Sequence, residues 1–149
     1  MDRSTEDAIC LGIVGLDKMG VMHATMASQC PGAKVTALID KDSKLAANVQ
    51  SMGLAAQTYA SLGAAIEAHS IQAVSIAAPS FTHQALAEEA LNAGLHVMCE
   101  KPIAHNLDDA RRMVDAAGAH PDQIAAVAFM KGHIGLFQDT ARLLREGAL

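Results

Sequence analysis

The chain has 149 residues, enough for one domain with a buried core, and a net charge of -5 that leaves little to neutralise a run of phosphates, which argues against a nucleic-acid partner. Hydrophobic residues make up 51% but aromatics only 3%, so the core must be built from Ala, Val, Ile, Leu and Met, as in helices packed on a sheet. No apolar run approaches the ~20 residues of a membrane span, and the amino-terminal MDRSTEDA is too polar for a leader, so a cytoplasmic protein without membrane partner is expected.

Short apolar runs alternate with longer helical patterns along the whole chain. ICLGIVG (9–15) is apolar and β-branched and stops at glycine, which predicts a buried strand. Helical spacing follows from Met19 to Gln29, ended by CPG at 30–32. KVTALID (34–40) predicts a second strand finishing on an acid, and Asp42 or Ser43 caps a helix to about Met52. AAQTYA (55–60) is a weak third strand, and Leu62–Ala68 a short helix. AVSIAAPS (73–80) is a strand closed by proline, and Thr82–Asn92 a helix ended near Gly94. LHVMCE (95–100) is a further strand. Asn106 caps a helix through Ala117, with Asp108 and Asp109 in its first turn where the helix dipole favours acids. IAAVAF (124–129) is the last strand, and Phe137–Arg145 a closing helix.

Strands apolar on both faces and alternating with helices imply an α/β fold, a doubly wound parallel Rossmann-type sheet of six main strands. Residues 1–149 are expected to form a single dinucleotide-binding domain. Cys10, Cys30 and Cys99 are far apart, show no C-x-x-C spacing and are expected to be buried free thiols. His23 and His96 are expected to pack inside with satisfied nitrogens. His69, His105, His120 and His133 form no set with metal-ligand spacing, so no metal is expected.

In a doubly wound sheet, ligands bind at the carboxyl ends of the strands. Four segments fall there: GLDKMG (15–20), Asp40, AAPSFTH (77–83) and EKP (100–102). GLDKMG keeps the outer glycines of G-x-G-x-x-G but carries Asp17 where the middle glycine normally lets the backbone approach a pyrophosphate. Gly15 suits the tight turn and Gly20 a helix packed close to the sheet. Asp17 reads equally as the N-cap of an ordinary strand-to-helix turn. Asp40, 20 residues beyond Gly20, suits an acid that accepts from the adenosine ribose. It favours NAD over NADP, although the adjacent Lys41 can welcome a 2′-phosphate.

SIAAPSFTHQALAEEALNAGLHVMCEKPIA (75–104) strongly resembles the Gfo/Idh/MocA oxidoreductases, the family of glucose–fructose oxidoreductase and inositol dehydrogenase. The resemblance runs from about Ile9 to the end of the chain. It rests on Pro79 and His83 after one strand and Glu100-Lys101-Pro102 after the next. It implies that Gly15, Leu16, Asp17, Lys18, Met19 and Gly20 face the pyrophosphate and Asp40 and Lys41 the adenosine ribose. Ala78, Pro79 and Ser80 would line the nicotinamide side with His83 nearby, and Glu100 would support the nicotinamide ribose. Lys101, aimed by a cis bond to Pro102, would be the catalytic residue and take the proton of a sugar or polyol hydroxyl.

Two departures accompany Asp17. The family's Asn- and Arg-rich stretch after the sixth strand reads FMKGHIG here (129–135), where Lys131 stands in for one basic residue and Gly132 for none. The family's second domain, which supplies the substrate wall, the partner acid–base residues and the subunit contacts of a homo-oligomer, is expected to be absent. The 149 residues are therefore expected to turn over sugars or polyols poorly by themselves. The rival reading is a non-catalytic nucleotide-binding or interaction module, favoured by Asp17 and opposed by the intact Glu100-Lys101-Pro102.

Overall fold

A computed structural model of the protein describes residues 8–148, so the first seven residues of the polar MDRSTEDA stretch lie outside the described region. The elements follow in the order β1 (Ile9–Val14), α1 (Lys18–Ser28), β2 (Ala33–Ile39), α2 (Ser43–Ser51), β3 (Gln57–Tyr59) and α3 (Leu62–Glu67). Then come β4 (Ala73–Ile76), α4 (His83–Asn92), β5 (His96–Glu100), α5 (Leu107–Ala119), β6 (Ala125–Ala128) and α6 (Gly135–Arg145). The six strands form one sheet in the order β3-β2-β1-β4-β5-β6, and every pairing is parallel. This is the doubly wound arrangement that the alternation implied, with the reversal of strand order between β1 and β4. No helix among the described residues is long and apolar enough to cross a membrane.

Local chemistry sets the helix starts. Asp42 accepts from Lys44 N–H at 2.9 Å, and Asn106 accepts from Asp109 N–H at 2.9 Å, so each satisfies a donor that the helix itself leaves open. Of the two caps open for α2, Asp42 is the one used. A 3-10 turn at Ser80–Thr82 precedes α4 and shortens the fourth strand, which ends at Ile76 rather than at Ser80.

The core lies in two layers. Ile13, Leu16, Ala24, Val35, Leu38 and Val49 pack between the sheet and the α1–α2 side. Ile39, Leu62, Val74, Ile76, Leu91 and Val97 lead the larger cluster against α3, α4 and α5. Burial on both faces fails at the far edge, where Ala125, Ala126 and Val127 of β6 are exposed and Met98 of β5 is 40% exposed. On the α1 side, which Met98 and Ala126 face, α6 gives no cover, since none of its residues is buried. The thiols also divide. Cys99 is buried as expected, but Cys10 is half-buried and Cys30 exposed, because Cys30 sits in the turn after α1 rather than on its inner face.

Candidate functional site

The chain leaves β1 at Val14 and must reverse into α1 within three residues. Gly15 makes that turn at φ +82°, a conformation that side chains disfavour, and its N–H donates to Ile39 O at 2.9 Å. A Cβ at Gly15 would stand 2.6 Å from both Cα and N of Ala78, so the turn after β1 is pressed against the turn after β4. A Cβ at Gly20 would overlap the carbonyl oxygen of Gly15. Gly20 therefore serves the loop itself, where the sequence suggested helix–sheet packing. Leu16 is buried at 1% exposure and anchors the loop in the core, whereas Lys18 is exposed and Met19 half-buried.

Asp17 precedes α1 with φ -68° and ψ -171°, an extended geometry open to any residue. Its carboxylate is exposed and makes no capping hydrogen bond, which corrects the capping alternative. The first N–H groups of α1, from Lys18, Met19 and Gly20, have no helical carbonyl before them and no side-chain cap. A helix start in that state favours an anion, so the cradle fits a pyrophosphate in its backbone and opposes one only through the Asp17 charge.

Asp40 closes β2 beside this turn. Its Oδ2 accepts from Leu16 N–H at 2.8 Å and its Oδ1 from Asp42 N–H at 2.8 Å. The residue thus pins the glycine turn to the end of the next strand. Each oxygen keeps a second lone pair for an incoming hydroxyl. Lys41 is exposed next to it.

Across the switch point, Pro79 is exposed and Ala78 and Ser80 are half-buried. His83 opens α4. It is buried at 1% exposure, with Nδ1 3.0 Å from Pro102 O and Nε2 2.8 Å from Ala78 O. Each ring nitrogen faces a carbonyl oxygen, so His83 packs between the turn after β4 and the turn after β5. A neutral ring carries one N–H and donates to one of the two at a time.

Glu100 ends β5. It is 5% exposed, its Oε1 lies 3.1 Å from His23 Nε2, and its Oε2 accepts from Lys101 N–H at 2.9 Å. Lys101 itself is exposed, pairs with no carboxylate among the described residues, and is joined to Pro102 by a cis bond. The neighbouring Cys99 thiol is pushed up to about 12 by burial and, secondarily, by the Glu100 charge, so it stays protonated at neutral pH and supplies no nucleophile.

Beside these turns, the uncovered side of β5 and β6 forms an open groove of about 500 Å³. Its walls include Met22, Met26, Met98 and Phe129, and His23, Ser75 and Glu100 line it as well. His23 packs with both nitrogens satisfied, as expected, but its partners Ser75 and Glu100 lie 52 and 77 residues away and no local pattern announced them. Lys131 Nζ stands 5.9 Å from the Phe137 ring centroid. His96 Nδ1 accepts from Ile124 N–H at 3.0 Å.

Residues 9–129 match the oxidoreductase family with an NAD-binding Rossmann fold. Inositol 2-dehydrogenase of Ralstonia nicotianae is 32% identical over 141 residues, which cover 93% of this chain and 42% of that protein. An inositol 2-dehydrogenase/D-chiro-inositol 3-dehydrogenase of Shouchella clausii is 35% identical over 123 residues, covering 81% of this chain and 36% of the relative. Among solved structures, scyllo-inositol dehydrogenase from Lactobacillus casei with bound NAD(H) and scyllo-inositol superposes with a TM-score of 0.86 at 27% identity. That match covers 95% of this chain and 42% of the neighbour. The chain therefore spans about two fifths of the length of these proteins.

Proposed function

Because the chain belongs to the oxidoreductase family with an NAD-binding Rossmann fold, we propose that its 149 residues act as the dinucleotide-binding domain of a polyol dehydrogenase. The observation that carries this reading is the junction at the switch point. There Gly15 meets Ala78 backbone to backbone and an uncapped helix start opens beside Asp40. The pyrophosphate lies over residues 15–20, the adenosine ribose beside Asp40 and Lys41, and the nicotinamide half along Ala78–Ser80 toward Lys101. An inositol-like polyol is the substrate class suggested by the relatives.

NAD, when bound, supplies a hydride acceptor for a substrate C–H. Lys101 Nζ, as the neutral amine, would take the proton of the substrate hydroxyl and become the ammonium as the hydride leaves the same carbon. Asp40 holds the glycine turn through Leu16 N–H, and His83, donating to one of Ala78 O and Pro102 O at a time, packs between the two later turns.

Calorimetric titration with NAD⁺ and NADP⁺ tests the reading. NAD⁺ is expected to bind more tightly, since the Asp40 carboxylate accepts from a free 2′-hydroxyl and repels a 2′-phosphate. Equal or tighter NADP⁺ binding would mean that Lys41 governs the ribose site, and absence of binding by either nucleotide would remove the proposal.

A further inference from the structure

His23 stands on α1, and its ring is the sole bridge from that helix to two neighbouring strands among the described side-chain hydrogen bonds. Nδ1 is 2.7 Å from Ser75 Oγ on β4, and Nε2 is 3.1 Å from Glu100 Oε1 on β5. With a proton on Nε2 the ring donates to the carboxylate and accepts from the Ser75 hydroxyl, so every group in the chain is satisfied. Hydroxyl, imidazole and carboxylate in this order invite comparison with a nucleophile triad. Ser75 does not serve as one: it is 1% exposed and sits inside β4, paired with Ile13 on one side and Met98 on the other, with no open donors for an oxyanion.

The other end of the relay is where it acts. Glu100 spends its second oxygen on the N–H of Lys101, and the carbonyl of Pro102 stands 3.0 Å from His83 Nδ1 on α4. The turn Glu100–Pro102 is thus approached by two histidines from opposite faces of the sheet, His83 buried and His23 half-buried at the groove. His83 stands at its carbonyl side, and His23 at its N–H side, through Glu100. We infer that His23 is a positioning residue, which holds Glu100 in place and so fixes the Lys101 backbone at the nicotinamide end of the cleft. The inference rests on the cofactor reading above and adds to it a residue outside the cleft.

Removing the imidazole leaves a buried carboxylate oxygen and a buried hydroxyl without partners in an apolar groove, which frees Glu100 to turn. The full chain carrying His23→Leu is titrated with NAD⁺ and, separately, with ADP, which lacks the nicotinamide riboside. The expected result is a loss of about tenfold in NAD⁺ affinity with ADP affinity within about twofold of wild type. His23→Gln, whose amide both donates and accepts, is expected to recover most of the loss. If His23→Leu does not fold, Ser75→Ala releases the ring at its other end and is expected to give the same split at smaller amplitude. Equal losses for NAD⁺ and ADP, or unchanged NAD⁺ affinity, would overturn the inference alone. A wild-type chain that binds neither nucleotide overturns the cofactor reading, and this inference with it.

Discussion

Gly15→Ala is expected to destabilise the chain by about 3 kcal/mol, far more than an exposed loop substitution. Two effects add. An alanine at positive φ costs roughly 1–2 kcal/mol. A methyl forced into packed surroundings typically costs about 1–3 kcal/mol more. Here the atoms 2.6 Å from the new Cβ belong to the backbone of Ala78 and cannot rotate aside. For a chain of this size the midpoint of thermal unfolding should fall by roughly 10 °C. Gly94→Ala is the matched control: its φ is +79°, but nothing lies within 4 Å of the added Cβ. That change carries only the conformational penalty, partly offset by the lower entropy of the unfolded chain. Circular dichroism melts of the two variants separate close approach from backbone conformation. Equal melting losses would mean that the turns after β1 and β4 are not pressed together.

Asp17→Gly is expected to tighten NAD⁺ binding about tenfold, equivalent to about 1.4 kcal/mol. A carboxylate ~5 Å from a phosphate charge costs about 3 kcal/mol at an effective dielectric near 20. The exposure of Asp17 and the neighbouring exposed Lys18 reduce that figure by roughly half. The site is therefore handicapped rather than lost, because the backbone donors remain uncapped and the carboxylate is free to turn into solvent. Raising the salt should shrink the gain. An unchanged affinity would place the pyrophosphate elsewhere.

The alternation of β-branched runs with Ala- and Leu-rich helical stretches was enough to read all six strands and the parallel sheet, because that pattern is local. Boundaries moved by a few residues where turn chemistry intervened, as at Ser80–Thr82. What the pattern could not carry was the bare side of β6. Whether a face is covered depends on where α6 lies, and Ala125–Ala128 is equally apolar in either case. The same limit applied to the polar residues. The resemblance implies a place near the cofactor for His83 and Glu100, and the fold gives them neighbours of its own, the Pro102 carbonyl, 19 residues on, and the His23 ring, 77 residues back. Such pairings are made by the folded sheet and leave no mark in spacing. Residues on the outer rim, Asp17, Lys41, Pro79 and Lys101, are exposed at the carboxyl edge, where the resemblance implied a ligand-facing role.

The claim that binds these observations together is that the carboxyl edge at the switch point holds the dinucleotide. Following the backbone amide resonances of the isotopically labelled chain during an NAD⁺ titration tests it directly. The account predicts shifts that concentrate at residues 15–20, at Asp40 and Lys41, at Ala78 and Ser80 and at Lys101. A second hollow, of about 400 Å³, lies at the opposite edge of the sheet among Cys10, Lys34, Gln57 and His69. Shifts gathered there, or along the groove at Ala126–Ala128, with residues 15–20 unmoved, would contradict it.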